Sequence, residues 1–200
     1  MKKQIIWLDA ILKINKFFLI FFLYFLFTSF VSASERWILD KSLSTIEFEL
    51  PVFLAKNVKG NFKNIEGFVE LDVDNKINNK AIFSVEIKDL DMNYIKYKDL
   101  LLGKIFFDAV KYPKGVIDTK KFSYSNEKEI ELEAELTIKG KSEIVPLIIN
   151  VKRLADELVQ IKSELTFSRT KFEIGIGKWK NTSILKDKVK IKTNLFLFRE

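Results

Sequence analysis

The stretch that decides the fold is Glu129-Ile130-Glu131-Leu132-Glu133-Ala134-Glu135-Leu136-Thr137-Ile138. Polar and apolar residues alternate over these ten positions without a fault. That period belongs to a β-strand, because successive strand side chains point to opposite faces, whereas a helix would repeat its apolar residues every three or four positions. The stretch therefore predicts a long strand with one buried face and one solvated face.

Shorter stretches with the same period lie on both sides of this strand. Alternating runs occur at 46–50, 69–73 and 189–192, and further strands are predicted near 36–40, 57–63, 80–88, 115–122, 143–152 and 157–168. Eight to ten short strands in one small domain are typical of a β-sandwich or a β-barrel. The chain is therefore predicted to be all-β.

One segment departs from the strand period and predicts a short helix at 94–102. Asn93 is a suitable N-cap, and apolar residues recur at helical spacing between Tyr94 and Ile105. Gly103 stands where a left-handed C-cap would end the helix. A helix of about nine residues between strands can close one end of a barrel. Residues 168–186, with two glycines and no sustained alternation, are predicted to form a long loop with short strand pieces.

The amino terminus resembles a secretory signal peptide. Four lysines precede an unbroken apolar run from Phe17 to Phe27, and the small residues Val31-Ser32-Ala33 follow. Cleavage after Ala33 is expected, with residues 34–200 forming one domain that is periplasmic or secreted. Because the apolar run is shorter than a bilayer-spanning helix needs, an uncleaved membrane anchor is the weaker alternative.

Composition excludes several kinds of chemistry. The chain has no Cys and no His, so thiolate nucleophiles, Ser-His-Asp triads and the usual zinc and copper ligand sets are absent. Residues 34–200 carry a net charge of +4, and their lysines are scattered among glutamates. No basic stripe suits a phosphate backbone, so nucleic acid is not an expected partner. We expect a protein that is not an enzyme and that needs no metal or cofactor.

Several motifs, in their order along the chain, resemble the YceI-like family of lipocalin-like, polyisoprenoid-binding proteins. They are Trp37-Ile38-Leu39-Asp40-Lys41-Ser42 with Ile46-Glu47-Phe48, Val58-Lys59-Gly60-Asn61-Phe62 with Gly67, Asp99-Leu100 with Phe106-Phe107-Asp108 and Lys111-Tyr112-Pro113, Leu136-Thr137-Ile138-Lys139-Gly140, and Val145-Pro146-Leu147. Two departures are Lys41 and Lys139, which stand where family members often have His.

The resemblance implies an extended eight-stranded antiparallel barrel whose apolar interior holds a long isoprenoid lipid, either a polyprenyl carrier or an isoprenoid quinone. The residues expected to line the interior are Ile46, Phe48, Val85, Ile130, Leu132, Leu136, Ile161, Leu165, Val189, Ile191 and Leu195. The same pattern would also arise from a solid core. The residues expected at the mouth or the lipid head group are Phe106, Phe107, Tyr112, Arg169, Lys171 and Trp179, with Lys178 and Lys180 nearby. Ordinary end packing and a solvated loop are the competing interpretations.

Three other functions are considered. An enzyme that uses carboxylates or Lys is one, but the sequence shows no convergent group of such residues. A small outer-membrane barrel shows the same alternation, because alternation does not say which face is wet. A periplasmic structural or protein-interaction module needs no ligand. Transient membrane contact is an expectation for a lipid carrier, and the sequence leaves the oligomeric state open, with a homodimer as one option.

Overall fold

The computed structural model describes residues 35–71, 78–123 and 129–200, within a compact unit that spans Ser34–Glu200. These residues contain eleven strands and one α-helix. The strands are β1 (Glu35–Leu39), β2 (Thr45–Leu50), β3 (Val58–Phe62), β4 (Ile65–Leu71), β5 (Lys80–Glu86), β6 (Leu90–Met92), β7 (Lys114–Asp118), β8 (Glu129–Ile138), β9 (Lys141–Ala155), β10 (Leu158–Ser168) and β11 (Lys188–Arg199). The helix α1 (Lys98–Leu102) follows a 3-10 turn at Ile95–Tyr97.

The strands form a closed antiparallel barrel. Their order is β1-β4-β5-β7-β8-β9-β10-β11, and β11 pairs back onto β1. Three of the eight strand positions are each formed by two segments, one beyond the other. β2 pairs with the same edge of β11 as β1, β3 pairs with β2, and β6 pairs with β3. The segments β2, β3 and β6 therefore extend the positions of β1, β4 and β5. Eleven segments thus occupy eight positions, which confirms the predicted eight-stranded barrel.

The decisive stretch forms β8 as predicted. It pairs with β9 over ten positions, from Glu129 opposite Asn150 to Ile138 opposite Lys141. Lys139 and Gly140 alone connect the strands and both have positive φ, 52° and 70°, as a type I′ hairpin turn requires. A Cβ on Gly140 would lie 2.5 Å from Cε1 of Tyr112, so the turn also needs glycine for space.

The alternation along β8 separates the interior of the barrel from its outer surface. Ala134 and Leu136 are buried, whereas Glu131 and Glu133 are exposed. The same division holds on β10, where Ile161 and Leu165 are buried beside exposed polar neighbours. The apolar faces of the strands therefore meet inside the barrel.

The helix lies where the sequence predicts it, but both of its predicted caps are wrong. Gly103 has φ −75° and ψ 174°, an extended conformation rather than a left-handed one. The side chain of Asn93 does not cap the helix, because it accepts a hydrogen bond from the Lys59 N–H and donates one to the Asn57 carbonyl. Asn93 thus joins the helical segment to the loop before β3.

Residues 169–187 form the predicted long loop, with a 3-10 turn at Gly177–Lys180. The predicted leader, residues 1–33, lies outside the described residues. Within the described ranges, no helix has the length and hydropathy needed to span a bilayer.

Candidate ligand-binding cavity

The barrel encloses a cavity of about 460 Å³, within the ~300–1,000 Å³ of typical small-molecule sites. Its wall is almost entirely apolar and draws side chains from strands all around the barrel, among them Trp37, Phe48, Phe83, Leu136 and Ile161. One polar feature in the wall is the pair Ser163 and Thr193, whose hydroxyl oxygens are 2.6 Å apart. A site of this kind suits a long apolar ligand better than a polar one.

The structure places ten of the eleven predicted interior residues in the cavity wall. These are Ile46, Phe48, Val85, Ile130, Leu136, Ile161, Leu165, Val189, Ile191 and Leu195. The other, Leu132, is half-buried and packs against the core without lining the cavity. Alternation identifies the inward face of a strand, but not where along that face the hollow begins.

The cavity reaches the surface at the end of the barrel that carries the helix. Four of its lining residues are exposed to solvent there: Ala55 and Lys56 before β3, Tyr97 beside α1, and Ile184 in the long loop. These segments contact one another, since the Tyr94 hydroxyl donates to the Lys56 carbonyl at 2.9 Å. We call this opening the mouth. One further exposed lining residue, Val151, lies towards the opposite end of the barrel, near the end of β9.

The four aromatic residues predicted at the mouth or the head group have different surroundings. Phe106 and Phe107 line the cavity, and the ring of the buried Phe106 lies 5.7 Å from that of Trp179, which also lines it. Tyr112 does not line the cavity and instead lies against Gly140, with Nζ of Lys111 5.0 Å from its ring. Tyr112 therefore supports the β8–β9 turn.

Arg169 was expected at the mouth or the lipid head group. It does line the cavity, but its hydrogen-bond donors are all used within the protein. Its side chain is 0% exposed. All of its side-chain hydrogen bonds run to main-chain carbonyl oxygens. Nε donates to Lys186 (2.9 Å), Nη1 donates to Ile174 (2.8 Å) and Gly175 (3.4 Å), and Nη2 donates to Trp179 (2.8 Å) and Leu185 (2.7 Å). A guanidinium has five N–H donors, so none remains for a ligand. Arg169 instead holds the long loop against the mouth.

Unlike Arg169, the lysines of this loop do not line the cavity. Lys171 is exposed and forms a 2.9 Å ion pair with Glu143, and Nζ of Lys178 lies 5.6 Å from the Trp179 ring. Neither Lys171, Lys178 nor the exposed Lys180 lines the cavity. A head-group role for the loop cations thus has no geometric support.

The residues at the two ends of the loop, Arg169 and Asp187, have shifted pKa values. Burial lowers the pKa of the Arg169 guanidinium, an effect that the carboxylate of Asp187 opposes. Burial raises the pKa of Asp187, but hydrogen bonds from Thr170 and Ser168 outweigh it, so the net pKa lies below its ordinary value. The lowered pKa keeps Asp187 ionised at neutral pH, where its carboxylate accepts hydrogen bonds from Thr170 at the start of the loop.

Sequence reasoning missed one buried polar group in a residue that lines the cavity. Trp37 is almost fully buried in β1, and its indole Nε1 has no hydrogen-bond partner. Buried indole N–H groups usually find an acceptor. The alternation of Trp37 with Leu39 indicates burial, yet it carries no information about whether the N–H is paired.

No group of three or more His, Cys, Asp or Glu side chains that could hold a metal occurs among the described ranges. The described residues form an apolar cavity that opens at the mouth.

Comparisons with known proteins agree with this architecture. A family model described as the YceI-like domain matches residues 37–197. The UPF0312 protein plu2095 of Photorhabdus laumondii is 27% identical over 97 residues, which cover 48% of this chain and 49% of that protein. The matched region thus spans about half the length of this curated relative.

Two solved structures share the fold. BcnA of Burkholderia cenocepacia is 26% identical with a TM-score of 0.73, covering 79% of this chain and 98% of that one. A polyisoprenoid binding domain from Saccharophagus degradans, implicated in plant cell wall breakdown, has a TM-score of 0.67 at 13% identity, covering 82% and 98%. Because the family model spans nearly all of the barrel, the chain belongs to the YceI-like family.

Proposed function

We infer that this protein binds a long isoprenoid lipid inside the barrel and carries it without covalent chemistry. The observation that carries this proposal is the apolar cavity of about 460 Å³ that opens at the helix end. The fold shared with a domain that is itself called polyisoprenoid binding gives further support. The absence of His and Cys from the chain agrees with a binding role rather than an enzymatic one.

Energetics favour a carrier over a trap. Burying a methylene group from water is worth ~0.8 kcal/mol, so a lipid of many carbons would bind irreversibly if it came from water. In a cell the lipid comes from a membrane, where it is already dry. Transfer into the barrel is then nearly balanced, and the cargo can be released again.

The free indole N–H of Trp37 favours an isoprenoid quinone over a cargo without a buried oxygen. An unpaired buried donor costs ~1–3 kcal/mol. Nε1 is buried in the empty barrel, so a quinone carbonyl would recover part of that cost once the indole turned Nε1 towards the cavity. Trp37 lies in β1, whose pairing with the last residues of β11 puts it far along the barrel from the mouth. The ring would therefore enter first, with the tail towards the mouth.

We further propose that the protein is exported and works in the periplasm or outside the cell, as the leader at residues 1–33 suggests. An outer-membrane barrel would carry apolar residues outside and polar ones inside. Strands β8 and β10 have the reverse arrangement. Cell fractionation separates these cases, because release with the periplasmic contents supports our proposal and retention as a heat-modifiable outer-membrane band contradicts it.

The decisive experiment is organic extraction of the protein purified from its native host, followed by mass spectrometry. We expect an isoprenoid lipid in the wild type and its loss in Ser163→Phe, which places a ring in the cavity. Lys162→Phe is the matched control, because the neighbouring residue points outward. An empty wild-type barrel without affinity for added isoprenoids would instead support a structural or protein-interaction role.

A further inference from the structure

Three segments around the mouth form one continuous surface, which we call the mouth rim: residues 52–56, 94–98 and 184–186. The Phe53 N–H donates to the Ile184 carbonyl at 2.9 Å, and Val52 and Leu185 form a β-bridge. The Tyr94 hydroxyl bonds to the Lys56 carbonyl. All three segments include residues of the cavity wall, so whatever contacts the rim also lies at the entrance.

The rim exposes large apolar side chains to solvent. They are Leu54 (89% exposed), Ile95 (76%), Ile184 (58%), Phe53 (57%) and Tyr97 (44%). Contiguous exposed apolar groups usually mark an interaction site. Leu54 has φ +53°, a conformation that a bulky residue rarely adopts, and residues kept in such conformations cluster at functional sites.

The charge of the rim is purely positive. Its three segments contain four lysines and no Asp or Glu, and the exposed Asp99 follows directly after Lys98. Nζ of Lys96 lies 5.0 Å from the Tyr97 ring, and Nζ of Lys186 lies 5.6 Å from the Phe53 ring. The next acidic residue after Lys186, Asp187, already accepts hydrogen bonds from Thr170.

This combination matches the surface of an anionic bilayer. Aromatic and aliphatic side chains enter the boundary between head groups and acyl chains, and adjacent lysines attract anionic lipids. We propose that the mouth rim docks onto an anionic membrane, with Phe53, Leu54 and Ile184 inserted shallowly. The mouth then faces the acyl chains, and cargo passes between bilayer and barrel without crossing water. The purpose of this docking rests on the proposed lipid-binding function, whereas the surface itself does not.

Vesicle flotation tests the proposal. Residues 34–200 contain every strand of the closed barrel and lack the apolar leader, which would itself bind membranes. We expect at least about tenfold stronger partitioning onto phosphatidylcholine vesicles that contain phosphatidylglycerol than onto phosphatidylcholine alone.

Two double variants separate the contributions. Leu54→Asn/Ile184→Asn removes apolar insertion, and Asn tolerates positive φ. Lys56→Glu/Lys186→Glu reverses the charge of two exposed lysines and should lower partitioning about tenfold or more. It changes no buried group, so it remains informative if the first variant folds poorly by circular dichroism. The matched controls, Ile144→Asn and Lys162→Glu, alter exposed residues on outward strand faces and should partition like the wild type.

Two results would overturn the docking proposal and assign the rim to a protein partner. One is equal partitioning of the wild type onto neutral and anionic vesicles, and the other is partitioning of the rim variants like that of the controls. Lipid extraction from the same preparations is read separately. Vesicle binding by a barrel that is empty of isoprenoid would refute the proposed function and leave docking intact. Cargo in a barrel that ignores vesicles would refute docking alone.

Discussion

Replacing Arg169 with Met should destabilise the protein severely, although the sequence suggests only a head-group contact or a solvated loop cation. Four of the carbonyl contacts of Arg169 are 2.9 Å or shorter. Each hydrogen bond to a charged donor contributes ~1.5–3 kcal/mol, so their simple sum is about 6–12 kcal/mol. Freed carbonyls near the surface regain water, and such contributions are not additive. We therefore expect a loss of about 3–5 kcal/mol in the free energy of unfolding.

Guanidinium chloride unfolding followed by circular dichroism measures this loss. Lys171→Met is the matched control, because its ion pair with Glu143 is exposed and its removal should cost under about 0.5 kcal/mol. Arg169→Lys keeps the charge but has at most three donors, so it should fall between the two. Hydrogen exchange should accelerate first at residues 174–187. A loss below about 1 kcal/mol in Arg169→Met would refute the reasoning.

Three further predictions concern single side chains. Trp37→Phe should weaken isoprenoid quinone binding about fivefold, the value of a hydrogen bond of about 1 kcal/mol. Unchanged affinity in a fluorescence titration would mean that Nε1 does not meet the ligand. The folded-state pKa of Asp187 is lowered, so its contribution to stability is present above its ordinary pKa of ~3.9 and is lost as pH falls below that value. Asp187→Asn should therefore reduce the fall in unfolding free energy at acid pH. If the unfolding free energies of wild type and variant fall in parallel as pH is lowered, the prediction is wrong. Gly140→Ala should lower the free energy of unfolding by about 2 kcal/mol or more, because of the positive φ and the contact with Tyr112. Gly177→Ala is the control, because Gly177 has φ +64° but open space around it. Thermal unfolding should show a smaller loss for this control.

The sequence predicts the strands well because their signal is local. Alternation over 129–138 indicates a strand with one buried face, and no distant residue is needed to recognise it. The interior residues on β8, β10 and β11 are predictable for the same reason. Leu132 and Leu136 share this pattern, yet only Leu136 lines the cavity, because the position of the hollow depends on side chains from other strands.

The loop before β11 shows where local reasoning fails. Arg169 lies among lysines and glycines, and a charged residue in such a loop is usually solvated. Its burial depends on five carbonyl groups that residues 174–186 bring around it. No short-range pattern encodes that arrangement, and the same holds for the mouth rim, whose segments are up to about 130 residues apart in the chain.

By itself, then, the sequence determined the all-β class, the inward faces of the strands, the helical interruption and the lack of His and Cys chemistry, because each of these is a property of composition or of a few consecutive residues. Only the tertiary structure decided that β11 pairs with β1, that the inward faces enclose a hollow, and that Trp37 has a free N–H while Arg169 has none. Those features arise where distant segments meet, and which segments meet depends on the closure of the whole barrel.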